Sequence, residues 1–165
     1  MALSCGTSAE IRSPATTVTA AATSPEFFYF KPSADGKNPI AALNAINGFY
    51  IGPSGLIPGS AFVPAAPGDI LTIFFTGGGS TNPAFAPGEL PGGVGDVTGP
   101  VGISMGGTQI SSGDMLYTGV APGLAGLYQL NIRVPGGVPP GNQAVVLTIG
   151  GAPSPAGYLL IAAGN

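Results

Sequence analysis

Leu127-Tyr128-Gln129-Leu130-Asn131-Ile132-Arg133-Val134 is the stretch on which the fold turns. Apolar and polar residues alternate through it without a break, the period of a strand with one buried face. Tyr128, Leu130, Ile132 and Val134 are predicted to point inward, and Gln129, Asn131 and Arg133 outward. Past a turn region at 135–141, residues 143–150 alternate again, with Val145, Leu147 and Ile149 inward. Upstream, the run Asp69-Ile70-Leu71-Thr72-Ile73-Phe74-Phe75-Thr76 sets Leu71, Ile73 and Phe75 on one face. Ile70, Thr72, Phe74 and Thr76 share the other.

The rest of the chain reads outward from these three strands. Residues 26–30 are aromatic and β-prone. Asp35-Gly36 and Asn47-Gly48 are hairpin signals. Residues 39–44 fit a strand or a single helical turn, and 52–68 read as an extended connection. Residues 77–100, dense in Gly and Pro with almost no alternation, read as one long surface loop. Val101 to Met105 is a predicted strand, Gly106-Gly107 its turn and Thr108 to Ile110 its return. Residues 115–120 are a further strand, and 121–126 a loop or one helical turn. Many short strands with Gly/Pro turns and no helix predict an all-β sandwich or barrel.

Composition agrees and excludes much chemistry. Gly (29) and Pro (18) make 47 of 165 residues, more than twice the usual share of about 12%. That richness fits disorder, but Leu, Ile, Val and Phe number 42 of 165, above the roughly 20% below which chains fail to build a core. No apolar run approaches the roughly 18 residues of a membrane span. There is no His, hence no His-based triad and no His-ligated metal. The single Cys5 rules out an internal disulfide or a Cys-cluster zinc site. The only basic residues, Arg12, Lys31, Lys37 and Arg133, are too few for a nucleic-acid footprint. With 7% charged residues and a net charge of −3, solubility rests on Ser, Thr, Asn and backbone.

The two ends of the chain resemble each other. Ala2-Leu3-Ser4-Cys5-Gly6, followed by residues 12–21, matches Val146-Leu147-Thr148-Ile149-Gly150, followed by 153–163. Each reads as strand, Gly-containing turn, Ser-Pro-Ala, strand. Cys5 then takes the place of Ile149 and reads as a small buried hydrophobe. A lone hairpin is marginal in water, so residues 1–23 are expected to need a partner. That partner is the body of this chain, a preceding domain or a neighbouring subunit. Ala15, Thr16, Thr17, Val18, Thr19 and Ala20 form the candidate strand-exchange or assembly segment. Residues 24–165 form the main domain. Met1 to Ser4 shows no signal peptide, which reads as either a cytosolic protein or a piece of a longer chain; the likeness of the two ends favours the piece, or else a self-assembling subunit.

A family resemblance adds to this. Pro39-Ile40-Ala41-Ala42-Leu43-Asn44 precedes Ala66-Pro67-Gly68-Asp69-Ile70-Leu71-Thr72. Next come Gly77-Gly78-Gly79, Pro87-Gly88, residues 101–107 and Leu116-Tyr117-Thr118-Gly119-Val120-Ala121-Pro122-Gly123. The densest block is Gly126 to Pro135. Order and spacing over residues 24–163 resemble an uncharacterised carboxy-terminal β-domain family of large secreted proteins from soil Acidobacteria. That family is similar in turn to the immunoglobulin-like IPT/TIG domains. The resemblance implies an immunoglobulin-like β-sandwich with long Gly/Pro-rich loops and an extra N-terminal strand or hairpin. It also implies a non-catalytic role, secreted or at the cell surface, and residues 1–23 as the tail of a preceding unit.

Other chemistry is weighed residue by residue. Glu10, Glu26, Asp35, Asp69, Glu89, Asp96 and Asp114 are scattered, most of them beside Gly or Pro at turns. Asp96 and Asp114 lack an Asp-x-Asp calcium spacing. Gly77-Gly78-Gly79-Ser80 lacks the Lys of a phosphate loop. Ser111-Ser112-Gly113 has no His base. Tyr29, Phe49, Phe62, Phe85 and Tyr117 are the aromatics that would line a sugar platform, though aromatics of a sandwich more often fill its core. No cofactor and no metal are expected. Three roles are carried forward: a structural or interaction module of adhesion or spacer type, a filament subunit assembled by N-terminal strand exchange, and a carbohydrate-binding module. The expected partners are other copies of the chain or neighbouring immunoglobulin-like domains, with polysaccharide as the third.

Overall fold

A computed structural model describes residues 20–86 and 88–163. Its strands in chain order begin with β1 (Glu26–Phe27), β2 (Ala42–Asn44), β3 (Tyr50–Ile51), β4 (Phe62–Val63) and β5 (Ile70–Thr76). They continue with β6 (Thr81–Asn82), β7 (Asp96–Val97), β8 (Val101–Met105), β9 (Thr108–Gln109) and β10 (Met115–Val120). The last four are β11 (Tyr128–Arg133), β12 (Gly141–Ile149), β13 (Ala152–Pro153) and β14 (Gly157–Ile161). No helix occurs among the described residues.

Two sheets result, dominated by antiparallel pairs as in a β-sandwich. The first has the order β4-β3-β2-β5-β11-β10-β7-β6, with β1 also paired to β5. The second has the order β13-β12-β8-β9, with β14 also on β12. At the centre β11 runs against β5 from Tyr128↔Phe75 to Arg133↔Ile70. That register puts the inward sets of the two alternating strands side by side. Leu71, Ile73, Phe75, Leu130 and Ile132 are fully buried, as are Val145, Leu147 and Ile149 opposite them. All belong to one core cluster with Ile103, Met105, Leu159 and Ile161. Tyr128 is half-buried against that cluster, and Val134 is buried in it.

Among the described residues, strand bridges join the two sheets along one side. Parallel bridges join Pro39 to Tyr158 and Ala65 to Ile161, so β14 is covered on both flanks. On the opposite side, β10 meets β7 only at Gly119↔Asp96. There β8 meets β9 only at Ser104↔Gln109 and Met105↔Thr108. The Ile110 amide still donates to the Ile103 carbonyl at 2.9 Å, so Met115 to Thr118 and Val101 to Gly102 have no further strand beside them among the described residues.

Three segments differ from the sequence reading. Residues 77–100 are not one surface loop, because β6 and β7 pair at Thr81↔Val97 and Asn82↔Asp96 and extend the first sheet. Residues 52–68 include β4, which runs parallel to β3. Residues 39–44 are extended and carry β2, not a helical turn. Two- and three-residue strands are too short to show alternation, so pairing alone reveals them.

The Ser-Pro-Ala pattern near the C-terminus has a physical role. β12 pairs with both β13 and β14, and Ser154 to Ala156 form the irregular step between them. The buried Ser154 hydroxyl accepts from the Leu147 amide at 3.1 Å and donates to the Pro155 carbonyl at 2.8 Å. It stands in for a missing rung of the ladder. Ser154→Ala would leave the Leu147 N–H unpaired in the core, and we expect a loss of about 2 kcal/mol by urea unfolding. The matching N-terminal hairpin, with Cys5, lies outside the described residues.

Candidate functional site

The carboxylates were the first candidates for chemistry, and their surroundings assign most of them to turns. Glu26 accepts from the Tyr29 hydroxyl at 2.7 Å. Asp35 accepts from the Ser33 hydroxyl at 2.5 Å and the Lys37 amide at 3.0 Å. Those two donors hold its carboxyl below the ordinary range. Asp69 accepts from the Ala66 amide and Glu89 from the Ala86 amide, each at 2.8 Å. Asp114 accepts from the Ser111 hydroxyl at 2.8 Å and lies 3.7 Å from Arg133 Nε. The hydrogen bonds of Asp35, Asp69, Glu89 and Asp114 span two or three residues, the reach of a local turn closure. Among the described residues no group of three metal-ligating acids, Cys or His comes together.

Gly77 to Gly79 also have structural partners. A Cβ on Gly77 would meet the Ser24 carbonyl, one on Gly78 the Tyr128 ring and one on Gly79 the Ala22 carbonyl. The triplet exists so that the segment entering β1 and the Tyr128 ring can lie close against it. The Ser24 amide donates to the Gly77 carbonyl at 2.9 Å. The Thr23 hydroxyl donates to the Ile149 carbonyl at 2.9 Å. Residues 23–24 thus tie the end of β5 in one sheet to the end of β12 in the other. Of the candidate assembly segment, Ala20 is exposed just ahead of this strap. Ala15 to Thr19 lie outside the described residues.

The five aromatics weighed as a sugar platform do not form one. Phe62 is buried, and it stacks edge-on against Phe30 with centroids 5.0 Å apart. Tyr29 packs against the core. Tyr117 clips the β7 segment to β10, accepting from the Gly95 amide at 3.2 Å and donating to the Val120 carbonyl at 2.8 Å. Phe85 lines a cleft at the end of the first sheet, and Phe49 is exposed on the turn between β2 and β3. The cleft has a volume of about 300 Å³, with walls from Phe85, Pro91, Val120 and Tyr128 and one carboxylate, Glu89. The Tyr128 hydroxyl donates to the Gly79 carbonyl at 2.5 Å.

Charge is distributed unequally between the sheets. The strands of the second sheet carry no charged residue on either face. The described charged groups lie in the first sheet and in the loops. This was open to the sequence, since no Asp, Glu, Lys or Arg follows Arg133. The hydroxyl clips of Tyr117 and Tyr128 left no signal in it.

Three tyrosines titrate above their ordinary range. Burial is the main cause for Tyr29, with the Glu26 hydrogen bond and charge adding to it. Burial also leads for Tyr117, opposed by the Gly95 backbone and aided by the Asp96 charge. For Tyr128 burial acts alone. The folded chain therefore holds these protons more tightly than the unfolded chain, whose tyrosines release them near pH 10. Their contribution to stability is full below about pH 10 and falls as the pH rises beyond it. We expect the urea midpoint to drop above that pH, and to drop less steeply in Tyr128→Phe.

Neither the family models nor the curated proteins give a match to this chain.

Proposed function

We propose that this protein is a non-catalytic structural or interaction module of the cell exterior, an immunoglobulin-like sandwich of spacer or adhesion type. The observation that carries this reading is the use of the carboxylates: Asp35, Asp69, Glu89 and Asp114 each close a local turn, and Glu26 is taken up by the Tyr29 hydroxyl. A general acid needs a carboxyl free to face a substrate. The uncharged second sheet and the resemblance of residues 24–163 to a secreted β-domain family support the same class.

A second reading, the filament subunit, is favoured by one feature. Among the described residues, the unpaired stretches of β8 and β10 lie on the same side of the molecule, where an extended segment could add as a strand. The strap at residues 23–24 brings the N-terminal segment to the same end as the start of β8, through Ile149↔Val101. In that reading Ala15 to Ala20 of one copy complete the edge of the next. Negative-stain electron microscopy with light scattering separates the two. Discrete particles fit the module. Regular filaments that vanish when residues 1–23 are deleted fit strand exchange and overturn the first reading.

A further inference from the structure

The cleft at the end of the first sheet has two aromatic walls, and each is seated on a glycine. A Cβ on Gly95 would meet Phe85 Cε2 at 2.8 Å, and one on Gly78 would meet the Tyr128 ring at 2.5 Å. Glycine in a sheet protein often marks such a close approach. The Tyr128 ring is fixed further: it packs on Phe75 with centroids 5.3 Å apart, and its hydroxyl holds the Gly79 carbonyl. Both rings are therefore in place before a ligand arrives, and binding need not order them.

The lining is one-sided in its hydrogen bonding. It holds no Lys, Arg, Asn or Gln. Thr81 gives its hydroxyl proton to the Pro83 carbonyl at 2.9 Å, and Tyr128 gives its own to Gly79. Against these stands Glu89. Its Oε2 accepts from the Ala86 amide at 2.8 Å, while Oε1 has no partner among the described residues. A ligand for this cleft has to bring donors. It also has to avoid negative charge. Lys31, Lys37 and Arg133 line none of the cleft, so an anion would meet only Glu89 on a chain of net charge −3.

We propose that this cleft binds a primary alkylammonium, the head group of a lysine side chain on a neighbouring protein. An ammonium brings three N–H donors and a positive charge. Glu89 Oε1 accepts a donor and balances the charge, and the rings of Phe85 and Tyr128 attract the cation. The methylene stem matches the apolar walls of Pro91 and Val120. A volume of about 300 Å³ is at the small end of ligand pockets and suits one side chain. Glu89 is exposed, so solvent screens its charge and the isolated head group binds weakly, with a Kd of about millimolar. Such a site serves an interaction module, but its chemistry belongs to the cleft and does not depend on that reading.

Titration of the full chain with n-butylammonium at constant ionic strength, followed by amide NMR, tests this. Saturable shifts are expected at Ser80, Gly88 and Glu89. Glu89→Gln should weaken binding about threefold, and its side-chain carbonyl can still accept from Ala86, which keeps the turn. Phe85→Leu should weaken it about threefold as well. Asp35→Asn, at a turn outside the cleft, should leave it unchanged. Two comparisons need no variant. n-Butanol has the same stem without the charge, and tetramethylammonium has the charge without an N–H, so each should bind about threefold more weakly or worse. No saturable shift up to about 100 mM overturns the proposal. So does n-butanol binding as well as the amine, tetramethylammonium binding more tightly, or an affinity that ignores both cleft variants. A failed titration leaves the module reading standing, because cellular location tests that separately.

Discussion

Gly157→Ala is expected to destabilise the protein by about 3 kcal/mol, the upper range for overfilling a well-filled core. Gly157 opens β14 with its backbone lying close against Ile40 and Phe27. A Cβ there would sit 2.4 Å from Ile40 Cγ1, 2.7 Å from Ile40 Cδ1 and 3.1 Å from Phe27 Cδ2. Ile40 and Phe27 are both buried, so neither can swing aside into solvent. The strand would have to move, and with it the bridge from Pro39 to Tyr158 that closes this side of the molecule. Urea unfolding measures the loss. In Ile40→Ala the added methyl finds room, so the double variant should be more stable than the sum of the two losses predicts. An additive result would mean that the contact is not the cause.

Gly77→Ala should have a comparable effect through a different mechanism. Gly77 has φ +72°, where a Cβ costs about 1–2 kcal/mol. The added carbon would also fall 1.9 Å from the Ser24 carbonyl oxygen, a backbone atom with no rotamer to escape through. The strap over residues 23–24 would lift. Its bonds to the Gly77 and Ile149 carbonyls would be lost at about 1 kcal/mol each. The total is about 3 kcal/mol, and limited proteolysis should then cut near residues 20–25. Gly107→Ala supplies the comparison. Gly107 has φ +81° but open space around its Cβ position, so only the conformational cost of about 1 kcal/mol applies. Equal losses at Gly77 and Gly107 would show that the strap adds nothing.

Both predictions rest on positions that the sequence could not single out, and the reason is general to this chain. With 29 glycines, the residue marks turns so often that one serving a close approach looks like the rest. Gly107 in the β8–β9 turn was readable beside Gly106, while Gly157 and Gly77 depend on which distant residue lies opposite. The long strands were legible for the opposite reason. β5, β11 and β12 hold enough residues for alternation to declare the inner face, and Leu71, Leu130 and Leu147 are buried as expected. β6, β7 and β4 hold two residues each, below the length at which alternation means anything. Asn47-Gly48 was a sound hairpin signal, since the Asn44 side chain accepts from the Ile46 amide and Gly48 takes φ +74° between β2 and β3.

The same contrast holds for function. That the acids are scattered was visible in the sequence; that four of them close turns needed hydrogen-bond geometry. The aromatics looked alike in the sequence, yet Phe62 is buried beneath Phe30 and Tyr50 while Phe49 faces solvent. Which face of a sheet meets solvent follows from register, so the neutral outer face of β8 and β12 became a surface only once their pairing was known.

The central claim is that this chain serves as a non-catalytic module outside the cell. Immunodetection in fractionated cells of the organism that makes it tests that claim most directly. The account predicts the protein in the cell-surface or extracellular fraction. Recovery in the cytosolic fraction, with none outside, would contradict it.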